Sequence, residues 1–200
     1  MTIANYFTFV RILIAPLFLI IYIEHDYLGI SNVALPYILL MLLGISELSD
    51  AVDGYLARKY DQVTDLGKVL DPMADSIARI SVFLTFTLEP VKLSMLLVFI
   101  FLYRDSVVST LRTICALKGY ALAARTSGKI KAVIQAIAAF IVLALMIPYS
   151  LGYISADTLH AYGTIIVSIA ALYTLYSGVD YISANWHYIN KFLVTEKPSK

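Results

Sequence analysis

The chain has 200 residues, 60% of them hydrophobic and 14% charged, and its mean hydropathy is +0.80. Soluble domains carry about 45–50% apolar and about 25% charged residues, so a soluble protein is excluded and a membrane protein is expected. A net charge of +1 argues against a nucleic-acid binder, and the single Cys115 excludes an internal disulfide and a cysteine-based zinc site.

Long apolar runs in hydrocarbon must be helices, because backbone polar groups there find partners only within the segment. Turn and charge signals divide the chain into six runs, at 7–24, 33–57, 67–88, 91–117, 129–150 and 158–188. A span takes about 20 residues, so six spans use nearly the whole chain and leave no room for a second, soluble domain. The expected architecture is one all-α membrane domain over residues 1–200 with six transmembrane helices. The first run carries Arg11 and lacks a basic segment before it, so it reads as a retained helix and not a cleaved leader. The second and sixth runs exceed a bilayer span, and their surplus is expected to tilt or to reach the aqueous interface.

Basic residues set the orientation. Arg58, Lys59 and Lys68 flank the second connection, Lys118, Arg125, Lys129 and Lys131 crowd the fourth, and Lys191, Lys197 and Lys200 follow the last run, against Lys92 alone on the other side. Both termini are therefore expected in the cytoplasm, in a multi-pass protein of the inner, cytoplasmic membrane with its active site facing the cytoplasm.

Ionisable groups inside spans are costly, about 2.5–3.5 kcal/mol each on insertion scales, so an acidic cluster at membrane depth points to function. Asp50 and Asp53 lie at i, i+3 near the end of the second run, and Asp71 and Asp75 at i, i+4 near the start of the third. Each pair shares a helical face, and an antiparallel turn lets the two faces converge. Four carboxylates so placed repel one another unless cations neutralise them, and an all-oxygen site suits one or two Mg2+ or Mn2+ ions holding phosphate oxygens. The bland alternative has the aspartates capping helix ends or pairing with Arg58, Lys68 and Arg79. Gly54 and Gly67 suit either close approach of a phosphate or helix packing, and Arg58 suits either a phosphate or the cytoplasmic flank.

The segment reads Asp50-x2-Asp53-Gly54-x2-Ala57-Arg58-x8-Gly67-x3-Asp71-x3-Asp75. It resembles the signature of the CDP-alcohol phosphotransferase family at every specified position. The resemblance implies six spans with both termini inside, and a dinuclear metal centre on the pyrophosphate of a CDP-linked donor. It further implies Asp50, Asp53 and Asp71 as metal ligands, Asp75 as ligand and general base, Gly54, Arg58 and Gly67 lining the donor site, and a homodimer.

Several other segments are similar to the branch that makes phosphatidylglycerol phosphate and CMP from CDP-diacylglycerol and glycerol 3-phosphate: NYFTFVRILIAP near the start, DPMAD, RDSVVSTLR at 104–112, SGKIKAVIQ at 127–135 and YSGVDYI at 176–182. That branch commonly has lysine at the position of Ser76 and glutamate at that of Asp105. Charge independently favours an anionic acceptor. Arg104 and Arg112 fall two turns apart on one face, and Arg125, Lys129 and Lys131 cluster at the next connection. The positive-inside bias is the alternative for the last three. Arg104 lies within an apolar run, with Asp105 or the aspartate cluster as its obvious partners. Arg11, with Asn5 and Thr8 on about the same face, is expected either at the donor phosphates or snorkelling to the interface.

His25, His160 and His187 are scattered and read as interfacial residues. The aromatic stretch Tyr173–Tyr188, with Trp186, reads as an interfacial belt. Competing readings are the same chemistry with another acceptor (phosphatidylglycerol, as in a cardiolipin synthase, an inositol phosphate, serine or diacylglycerol), a membrane prenyltransferase, and a transporter or cation channel. Prenyltransferases are longer with more widely spaced aspartates, and a channel would carry polar residues at successive depths.

Overall fold

A computed structural model describes the backbone of residues 3–59, 65–117, 122 and 125–194, and their side chains except at 3–8, 51, 53–59, 65–72 and 191–194. The described residues form the helices α1 (Ile3–Glu24), α2 (Leu35–Lys59), α3 (Asp65–Thr85), α4 (Met95–Leu117), α5 (Thr126–Ser150), α6 (Ala156–Ala184) and α7 (Trp186–Val194). No strand occurs among them. The six expected runs are thus found as helices, with their ends displaced by a few residues.

Two boundaries differ for physical reasons. The fourth run was expected from residue 91, but α4 starts at Met95, because Lys92 adopts a left-handed backbone with φ 55° that no helix accommodates. Val91 and Leu93 are nevertheless buried: this turn folds into the bundle, where Val91 meets Gly163 of α6, and so reads as helical by hydropathy alone. The sixth run breaks at Asn185, whose side-chain amide donates to the Tyr181 carbonyl at 2.8 Å and ends α6 before the short α7.

α1 packs on α2 and α3, α2 on α5, α5 on α6, α6 on α4 and α4 on α3, so the six long helices close into a ring, and α3 also touches α5 across it. Phe83 anchors the centre, with ring centroids 4.6 Å from Phe101 and 6.0 Å from Phe86. The inner face of α6 carries Gly163, Ala170, Ala171, Ser177 and Gly178, small residues that let the neighbouring helices approach closely. α5 and α6 are each long and apolar enough to cross a bilayer. Their outer faces expose Val133, Ile137 and Ile141 on α5 and Ile165, Ile169 and Leu172 on α6, stripes that suit lipid and not water.

Candidate active site

Three helices meet at the acidic end. Arg11 of α1 is only 2% exposed, so it does not snorkel. Its Nη1 donates to Asp50 Oδ1 of α2 at 2.6 Å and also to Asp75 Oδ1 of α3. A guanidinium withdrawn from water requires such partners. Two carboxylates from different helices therefore converge on one cationic nitrogen, the chemistry a divalent cation also demands. They line a cleft of about 190 Å3 together with Arg11 and the Glu47–Arg79 pair, whose charged groups are 3.7 Å apart. Arg79, one alternative partner for the aspartates, is turned to Glu47, which sequence reasoning did not single out. Its position, one turn before Asp50 as Arg79 is one turn after Asp75, was the available signal.

The side chains of Asn5, Thr8, Asp53, Arg58 and Asp71, together with Gly54 and Gly67, lie outside those described. Among the described residues no three His, Cys, Asp or Glu side chains gather into a metal cluster. Asp50 and Asp75 are the described half of the expected four-aspartate set. Beyond the Glu47–Arg79 pair, a second cleft of about 410 Å3 shares Ser46, Glu47, Ala78 and Arg79 with the first and is otherwise mainly apolar, lined by Ile14, Phe18, Leu43, Val82 and Phe83. A polar cleft thus adjoins an apolar one, an arrangement suited to an amphiphile.

The five cations proposed for an acceptor phosphate fall into separate settings. Arg104 and Lys131 meet at Asp105, with Nη1 of Arg104 3.0 Å and Nζ of Lys131 2.7 Å from its Oδ1. Lys131 is buried, so the positive-inside bias does not account for it. Arg112 stacks on the Tyr181 ring at 5.3 Å, with Nε 3.3 Å from its hydroxyl. Arg104 and Arg112 do share a face, turned to α6. Arg125 is instead clamped by Asp180 through Nε at 2.8 Å and Nη2 at 3.0 Å, and Lys129 is exposed.

The family model for CDP-alcohol phosphatidyltransferase matches residues 1–186. The chain belongs to the CDP-alcohol phosphatidyltransferase family. A Bacillus subtilis (strain 168) protein named CDP-diacylglycerol--glycerol-3-phosphate 3-phosphatidyltransferase is 32% identical over 191 residues, covering 91% of this chain and 94% of its own. A Rickettsia felis protein of the same name is 31% identical, covering 90% and 93%. A Mycobacterium tuberculosis (strain CDC 1551 / Oshkosh) protein named probable phosphatidylglycerophosphate synthase is 28% identical, covering 90% and 79%.

Within this phosphatidyltransferase, the two positions that depart from the branch pattern touch each other: Ser76 Oγ lies 3.4 Å from Asp105 Oδ2. Sequence reasoning also gave no individual role to Gly178 and Asp180, and placed Tyr181 in the aromatic belt. All three lie in the YSGVDYI segment of α6, and they meet Arg104, Arg125 and Arg112 respectively. Tyr181, assigned to an interfacial belt, is 1% exposed and belongs to the cation cluster. Trp186, Tyr176 and Tyr188 are exposed, as a belt requires. His25, just past α1, pairs with the Tyr22 carbonyl, and His160 of α6 pairs with the Val91 carbonyl.

Proposed function

We propose that this phosphatidyltransferase moves the phosphatidyl group of CDP-diacylglycerol onto glycerol 3-phosphate, giving phosphatidylglycerol phosphate and CMP. The observation that carries this reading is similarity across about nine-tenths of the chain to relatives named for that reaction. Two local features support it: an acidic cleft adjoining an apolar one suits a charged lipid donor, and Arg104 and Lys131 sharing one carboxylate leave a positive surplus for an anionic acceptor.

Asp50, Asp53, Asp71 and Asp75 would hold Mg2+ or Mn2+, two ions in all, and the convergence of Asp50 and Asp75 on one cationic nitrogen fits that role. A bound divalent cation supplies charge neutralisation at the diphosphate and favours departure of CMP. The remaining chemistry belongs to the chain. Asn5, Thr8, Arg11, Gly54, Arg58 and Gly67 bind the CDP portion. Arg104, Arg112 and Lys131 orient the acceptor phosphate, with Arg125 and Lys129 at the entrance. Asp75 takes the proton from the acceptor hydroxyl as its oxygen bonds to the lipid-linked phosphorus and the bond to CMP breaks.

In this reading, residues 1–200 form one six-span domain with both termini cytoplasmic, placed in the inner membrane with the site facing the cytoplasm and assembling as a homodimer. Purified protein given CDP-diacylglycerol, Mg2+ or Mn2+ and a panel of acceptors tests the activity. CMP released with glycerol 3-phosphate and lost in Asp75→Asn is expected. Release with phosphatidylglycerol, an inositol phosphate or serine instead would move the acceptor, and no release with any would overturn the reading.

A further inference from the structure

Asp105 is the point where three helices exchange charge. Its carboxylate accepts from Lys131 Nζ of α5 at 2.7 Å, from Arg104 Nη1 on α4 itself at 3.0 Å and, more loosely, from Ser76 Oγ of α3 at 3.4 Å. The three charged side chains are 6%, 11% and 9% exposed for Lys131, Arg104 and Asp105. A carboxylate so far from water is retained only where its partners compensate the lost hydration, and the two cations are compatible side by side only because it lies between them. One negative group serving two positive ones leaves a single surplus positive charge, and Arg104 Nε is buried with no hydrogen-bond partner among the described residues. The cluster is assembled from within, yet incomplete toward an anion.

Ser76 immediately follows Asp75, and consecutive helical residues point about 100° apart, so α3 shows Asp75 to Arg11 and Asp50 on one side and Ser76 to Asp105 on the other. We propose that Asp105 is a positioning residue for the acceptor: it holds Lys131 and Arg104 at a fixed separation for a phosphate monoester. Through Ser76 it ties that pair to the helix carrying Asp75. The inference rests on the reading of the acceptor as glycerol 3-phosphate.

The test compares wild type, Asp105→Asn, Asp105→Glu and the double variant Asp105→Asn/Lys131→Met. Each is assayed for CMP release, with separate KM values for acceptor and donor, and for the thermal shift that glycerol 3-phosphate produces without turnover. Asp105→Asn is expected to raise the acceptor KM by about tenfold or more while leaving the donor KM near wild type, because an unpaired buried cation pair separates. Asp105→Glu restores most of the loss. The double variant regains thermal stability but not acceptor affinity, which separates positioning from folding. An acceptor KM within about twofold of wild type in Asp105→Asn, or equal losses for donor and acceptor, overturns the proposal. If wild type turns over with a different acceptor, the function reading fails on its own. The KM comparison is then made with that acceptor, and an unchanged value sinks the positioning role.

Discussion

A Cβ built on Gly178 of α6 would lie 3.1 Å from Cγ of Arg104 on α4, so α6 omits a side chain where that arginine crosses it. Gly128 of α5 borders the same side chain, its added Cβ lying 3.5 Å from Arg104 Nη2. Replacing a mid-helix glycine with alanine ordinarily stabilises by about 0.5–1 kcal/mol. Here Arg104 is pinned at its head by Asp105 and cannot swing aside, so Gly178→Ala is expected to lower the melting temperature in detergent. Gly178→Val should cost about 1–3 kcal/mol by overpacking. Gly44→Ala on α2, where an added Cβ meets nothing within 4 Å, should be neutral or stabilising in the same assay.

Asp75→Asn removes the proposed proton acceptor and is expected to lower kcat by about 10²–10⁴-fold while the protein stays folded. Asp50→Asn should raise the Mg2+ or Mn2+ concentration needed for half-maximal CMP release. Chelation should abolish wild-type activity, and either ion should restore it. Activity that persists in excess chelator would remove the metal from the proposal.

Arg125 and Ser127 both bind Asp180, Ser127 Oγ at 2.5 Å, and α5 begins with Arg125 at its N-cap without a side-chain cap of its own. The clamp to α6 does the work a cap otherwise does. Asp180→Ala should therefore speed hydrogen exchange in the first turn of α5 several-fold, more at low salt than at high, because the pair is partly solvated. Arg125→Ala/Asp180→Ala should add little to Asp180→Ala alone. Unchanged exchange in Asp180→Ala would show that packing alone holds the helix start.

Gln135 Nε2 donates to Thr174 Oγ1 at 3.0 Å across the buried α5–α6 contact, and that hydroxyl donates in turn to the Ala170 carbonyl. Thr174→Val keeps the shape but strands the amide, at a cost of about 1–3 kcal/mol. Gln135→Leu/Thr174→Val should recover much of the loss, since both polar groups are then gone. Thermal unfolding of the two variants side by side checks the difference.

The helices were legible because hydrocarbon forbids free backbone groups, so each apolar run announces its own structure. The errors came where apolar residues serve another purpose. Val91 and Leu93 look like the start of a helix but are a turn folded into the bundle. Tyr181 looks like its aromatic neighbours but points inward. Asp50 and Asp75 were legible as a convergent pair because i, i+3 and i, i+4 spacings on two helices close together in the chain restrict where their side chains can go. The five cations proposed for an acceptor could be picked out of the sequence, but their separate partners could not. Nothing local to Arg125 or Lys131 says that one closes on Asp180 and the other on Asp105.

Composition, hydropathy and the spacing of four aspartates and two glycines determined the helical class, the family and the acidic site, all of which depend on neighbours close along the chain. The ring order of the helices decided the rest. It brings α1 against α2 and α3, so that Arg11 bridges Asp50 and Asp75, and it sets α4 between α3 and α6, so that Asp105 meets Ser76 and Arg104 passes Gly178. Those contacts join residues 29 to 74 positions apart, and only the packing of whole helices, through the burial each face requires, selects them.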